Sequence, residues 1–197
     1  MVRMRRVFLA GNQDFHDFLD EFQRESDRAA AVLSAAYLDE LLKQLLLASF
    51  VDNSRTVTDL LGPNAALGSF GGRVNLAYAL GLITKAEAGD LNLLRRIRND
   101  FAHHLHGLSF NTRRIADRCA NFQCNEERFA AIPGLRAEYP SEARKLFDLA
   151  AALLSFYLTR RVHHAARAQP AKPPLWLATP PEQAPSGTTQ VSNREHS

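Results

Sequence analysis

Apolar residues recur at helical spacing along most of the chain, and no alternating run of β-branched positions between hairpin turns interrupts them. Phe15, Phe18, Leu19 and Phe22 fall on one face of a helix spanning about residues 13–23. Ser26 is placed to cap a second, long helix that reaches about Phe50. Its middle, Ala29 to Ala48, is rich in Ala and Leu and apolar around nearly the whole circumference, so this helix is expected at the centre of the fold. Thr58 to Leu61 suggests one turn of helix before Gly62-Pro63. A third main helix is expected over about 72–80, ending near Gly81. Thr84-Lys85-Ala86-Glu87 has the spacing of a capping box and opens a helix that runs to about His104, with Gly107 as its stop. A short helix is expected over 112–121. The last long helix should cover about 141–166, with Leu146, Leu149, Ala150, Leu153, Leu154 and Tyr157 turned inward. The pattern predicts an all-α chain: a single helical bundle of about five to seven helices over residues 13–166. A basic N-terminal arm, 1–12, precedes it, and a Pro/Ser/Thr-rich tail expected to be disordered, 167–197, follows.

Composition narrows the class. Hydrophobic residues are 46% of the 197, which fits a chain that folds around its own core. Apolar runs such as Leu45-Leu46-Leu47-Ala48 are too short to cross a bilayer, and the start of the chain lacks a secretory h-region, so the expected location is the cytoplasm. The net charge of +3 comes from the ends: Arg3, Arg5 and Arg6 supply three positive charges and the tail one more, leaving residues 7–166 near minus one. Bulk charge therefore does not argue for nucleic acid. Cys119 and Cys124 have neither the number nor the spacing of a disulfide framework or a zinc site, and are expected as free thiols.

The segment Ile97-Arg98-Asn99-Asp100-Phe101-Ala102-His103-His104 concentrates the chemistry. On a helical wheel Leu91, Leu94, Ile97, Phe101, Ala102 and Leu105 share one arc, and Arg98 falls inside it. A guanidinium on a buried face requires a carboxylate. Asp27 shares an arc with Leu38, Leu41 and Leu45 on the long helix, so an Asp27–Arg98 ion pair is expected, with Glu25 as the alternative acid. Asn99 and His103, four apart, lie on one stripe beside the apolar arc. Arg98, Asn99 and His103 can then converge at the core edge, where imidazole serves as general acid or base and guanidinium binds phosphate. That combination suits metal-independent cleavage of an RNA phosphodiester. The plainer reading is an Asn and a His closing a helix end.

Several blocks stand out in order along the chain: Glu25-Ser26-Asp27-Arg28-Ala29-Ala30-Ala31 and Ala36-Tyr37-Leu38-Asp39-Glu40-Leu41, then Leu61-Gly62-Pro63, Leu67-Gly68-Ser69-Phe70 and Arg73-Val74. Ala79-Leu80-Gly81-Leu82-Ile83, Asp90-Leu91 and Ile97 to His103 complete them, over about residues 15–125. In this order the blocks resemble the mannitol operon repressor (MltR-type) family. The resemblance implies an all-α bundle and a transcriptional regulator, without supplying a DNA-reading element. The Arg98-Asn99-x3-His103 unit also resembles the signature of HEPN domains, which are helical and in many cases ribonucleases. That resemblance implies Arg98 and His103 as a catalytic pair with Asn99 as polar companion.

Other features change the picture little. His103, His104 and His106 cluster without accompanying carboxylates at ligand spacing, so neither metal nor cofactor is expected. The glycines around Ser69-Phe70 lack the lysine and spacing of a phosphate loop. A helix-turn-helix through 57–80 fits poorly around Pro63 and has no recognition stripe. Arg113, Arg114 and Arg118 form a small basic patch, read as a solvated face. The expected function is an MltR-type regulator that acts mainly through protein contacts, with a protein partner or a second copy of itself. The alternative is a HEPN-like ribonuclease, with RNA as partner. Sequence-specific DNA binding is disfavoured, and no membrane is involved.

Overall fold

The computed structural model describes residues 24–50, 54–104, 106–123 and 141–168. The expected first helix over 13–23, the basic arm and most of the tail lie outside the described residues. Among those described, every regular element is a helix: α1 Asp27–Ser49, α2 Ser54–Leu61, α3 Phe70–Ala79, α4 Lys85–His103, α5 Arg113–Ala120 and α6 Ala143–Ala168. None is long and apolar enough to cross a membrane.

Local chemistry sets the boundaries. The Ser26 side chain accepts from the Ala29 N–H and opens α1. Ser69 does the same for α3 through Gly72 N at 3.0 Å, starting that helix two residues earlier than the periodicity suggested. Thr84 and Glu87 form a complete capping box at the start of α4: Thr84 Oγ1 accepts from Glu87 N, and Glu87 Oε2 accepts from Thr84 N at 2.8 Å. Helix α3 ends in a Schellman arrangement, with Gly81 N donating to Tyr78 O and Leu82 N to Ala77 O. Gly81 sits at φ +71°, a conformation that favours glycine there. Helix α2 is a full eight residues rather than a single turn.

Helix α1 is the centre, packing against α6, α4 and α3, while α5 closes over α6 and α4. Ala30, Ala31, Leu38, Leu42 and Leu46 on α1 are fully buried against Leu91, Leu94, Ile97 and Phe101 of α4 and Phe147, Ala150 and Ala151 of α6. An aromatic chain fills the end of the core: Phe101–Phe110 centroids lie 5.2 Å apart, Phe110–Phe147 4.8 Å, and Phe122–Phe147 6.4 Å. The loop after α4 is thereby folded back onto the bundle, carrying Phe110 into contact with α4 and α6.

Candidate functional site

The C-terminal turn of α4 is anchored by Ile97 and Phe101, both fully buried. Asp100 in that turn faces an unfavourable helix dipole and needs cations. Helix α5 supplies them: Arg118 Nη1 donates to Asp100 Oδ2, and Arg114 Nε lies 3.8 Å from the same oxygen. His104 caps the helix. Its backbone N–H donates to Asp100 O at 3.1 Å, and its Nδ1 lies 2.9 Å from that carbonyl. Arg114 Nη2 lies 2.8 Å from His104 Nε2. A guanidinium can only donate, so Nε2 is the acceptor and the ring proton sits on Nδ1, directed at the Asp100 carbonyl. Arg28 of α1 donates to the His104 carbonyl. Three arginines from two helices thus converge on one turn.

The residues singled out from sequence are placed differently from expectation. Asp27 is not paired with Arg98. Its Oδ1 accepts from Arg144 Nη1 of α6 at 3.0 Å, and its Oδ2 from the Phe110 N–H at 2.9 Å. The alternative acid, Glu25, contributes its backbone carbonyl to Arg144. Arg98 is half-buried and forms no hydrogen bond or ion pair among the described residues. The physical reason is the length of arginine: its aliphatic stem can cover apolar surface while the head leaves the core, so an inward position on the wheel does not oblige a carboxylate. Asn99 is half-buried and His103 exposed. Arg98 and His103 stand five residues apart on one helix, about 140° apart around its axis. No hydrogen bond joins them among the described residues. No group of three or more metal-ligating side chains occurs among the described residues.

The ionic centres that the fold does build lie elsewhere. Arg144 is a hub at the start of α6. Beyond Asp27 it donates from Nε to Asp148 Oδ1 at 2.8 Å and stacks 5.4 Å from the Phe110 ring centroid. Burial pushes the Asp148 carboxyl up to about 6, against the pull of Arg144. Burial, with Asp148 adding, likewise pushes the Cys119 thiol up to about 12. Arg73 of α3, 8% exposed, donates to Asp39 of α1 at 2.5 Å and to the Gly68 carbonyl at 3.2 Å. Gly68 itself is tightly enclosed: a Cβ there would clash with the Gly62 and Pro63 carbonyl oxygens. Glu87, 1% exposed, accepts from Arg161 of α6 at 2.7 Å, and fully buried Asp90 accepts from Gln123 N at 2.9 Å. These acids share the apolar arc of α4, which was the available sequence signal. Glu87 had a role only as a cap, and Asp90 only as part of a family block.

Strong arginine–carboxylate clamps between non-adjacent segments define a helical bundle with a buried ionic framework. The chain belongs to the mannitol repressor family, whose model matches residues 17–147. Among solved structures it is similar to a chain of the MtlR–HPr complex from Escherichia coli. The TM-score is 0.59 at 21% sequence identity, over 75% of this chain and 99% of that one. No curated protein matches.

Proposed function

We propose that this protein is a regulator of the mannitol-repressor type that works by docking on another protein, with HPr as the partner, rather than by reading DNA. The observation that carries the reading is the fate of the arginines. The basic patch on α5 is partly paired within the chain, with two of its arginines sharing the one carboxylate of Asp100. Arg118 and Arg114 serve Asp100, Arg114 also serves His104, and Arg113 lies 4.0 Å from Asp117. Arg73, Arg144 and Arg161 are committed to Asp39, to Asp27 and Asp148, and to Glu87. A DNA-binding face needs several arginines available to phosphate; these six are engaged by carboxylates, while others, such as Arg98 on α4 and Arg160 on α6, have none among the described residues. Membership of the mannitol repressor family and likeness to a chain of an MtlR–HPr complex support a protein partner, and HPr is the one we propose.

Isothermal titration of HPr from the same genome into the purified chain tests this, beside duplex DNA and total RNA at 50 and 200 mM salt. Saturable HPr binding, with at most weak and strongly salt-dependent retention on nucleic acid, is the expected result. Absent HPr binding with tight, sequence-selective DNA binding would overturn it.

A further inference from the structure

A cleft of about 400 Å³ opens between the second half of α6 and the turn after α3. Its wall is one stripe of α6: Tyr157, then Arg160 and Arg161, then His164, at the i, i+3, i+4, i+7 spacing that puts residues on one helix face. Leu45 of α1 and Leu82 supply apolar floor, and the Schellman turn at Gly81 brings Leu82 there. The volume lies in the range of small-molecule sites.

Among the described residues the charge in this cleft is unbalanced. Glu87 is the only carboxylate bonded to its wall among the described residues, and it is engaged twice over, by Arg161 and by the Thr84 cap. Arg160 has no carboxylate among the described residues. It is held instead over the Phe156 ring, 5.6 Å from the centroid, while Phe156 packs edge-on against Tyr157. That contact orients a guanidinium without discharging it. The macrodipole does not account for these cations either, because its effect falls off within the last turn and α6 continues to Ala168.

We infer that this cleft binds a small organic anion: its phosphate or carboxylate group against Arg160 and His164, its body on Leu45, Leu82 and Tyr157. An oriented guanidinium beside an imidazole matches the oxygens of either acid group, and a planar fork favours bidentate contact. The apolar floor selects against bare inorganic ions. The site is separate from the clamp at the end of α4 and would give the protein a small-molecule input in addition to a protein partner.

Calorimetric titration at constant ionic strength tests the site with phenyl phosphate, benzoate, inorganic phosphate and neutral benzyl alcohol. Either aromatic anion is expected to bind saturably and better than inorganic phosphate. The order of phenyl phosphate and benzoate tells which acid group the site prefers. Arg160→Gln should weaken binding about tenfold or more, as loss of a charge-assisted contact does. His164→Gln should weaken it less. Both positions are exposed, so unchanged circular dichroism and Tm show that the variants fold. Binding of benzyl alcohol equal to that of the anions, no binding of either anion, or full affinity in the Arg160→Gln/His164→Gln double variant would each overturn the assignment.

Discussion

Replacing Arg144 by Met keeps much of the side chain's length and apolar contact while deleting the charge that holds two carboxylates. At pH 8 the stranded group that matters is Asp148, whose side chain is 10% exposed. Removing one partner of a buried pair costs about 3–5 kcal/mol. Asp27 is 35% exposed and keeps its Phe110 N–H, so its share is about 0–1 kcal/mol. With Arg144 itself 22% exposed, the sum falls near the lower end, about 3 kcal/mol. The cost should depend on pH in a defined direction. Asp148 has its folded value raised from 3.8 to about 6, so its contribution to stability is fully present below about pH 4 and is lost as pH rises through 6. Arg144 lowers that value, so deleting it raises the carboxyl further and extends the loss to higher pH. At pH 5 Asp148 is mostly neutral in both proteins and the deficit should shrink to about 1 kcal/mol, the remainder from Asp27 and the Phe110 contact. Urea unfolding of the wild type and Arg144→Met at pH 5 and pH 8 measures this. Adding Asp148→Asn to both backgrounds should abolish the difference between the two pH values. A deficit that is equal at both pH values, or that grows on acidification, would refute the reasoning.

Three further outcomes follow from the packing. Gly68→Ala should lose about 1–3 kcal/mol, because its Cβ meets backbone atoms of Gly62 and Pro63 that have no rotamer to yield, and denaturant melts will read this. Gly89→Ala, on the exposed face of α4 with open space around it, should instead gain about 0.5–1 kcal/mol in the same assay. In a Cys124→Ser background, the Cys119 thiol is 1% exposed and pushed up to about 12, so it should resist a thiol-labelling reagent at pH 8 in buffer and react at once in urea. Rapid labelling of the folded protein would contradict the burial.

The helices were legible because their signals are local. Ser26 and the Thr84–Glu87 box sit beside the helices they open, and the Ala/Leu density of α1 announces a helix buried on most sides. The site was less legible because a wheel gives the direction of a side chain but not its neighbour. Asp27 does point toward a partner, yet the cation comes from Arg144, 117 positions away on a helix whose packing angle no periodicity encodes. Arg98 occupies an inward angle on the wheel, yet it is only half-buried and meets no carboxylate among the described residues. Asp100 and His104 stood in the segment already marked as rich in chemistry. Their link to Arg114 and Arg118 depends on how the loop through Phe110 returns to the bundle, and that is set by aromatic packing among Phe101, Phe110 and Phe147. The basic patch on α5 is a largely solvated face, as its sequence suggested; what periodicity hid is that Asp100, the carboxylate beside Arg114 and Arg118, lies on the preceding helix.

Docking on a protein in preference to nucleic acid is the claim on which the functional account turns, and one competition experiment addresses it most directly. Labelled HPr is titrated with the intact protein, then challenged with excess duplex DNA containing the upstream region of the gene's own neighbourhood. The account predicts a saturable complex with HPr that the DNA leaves in place. No complex with HPr, together with a stable protein–DNA complex at 200 mM salt, would contradict it.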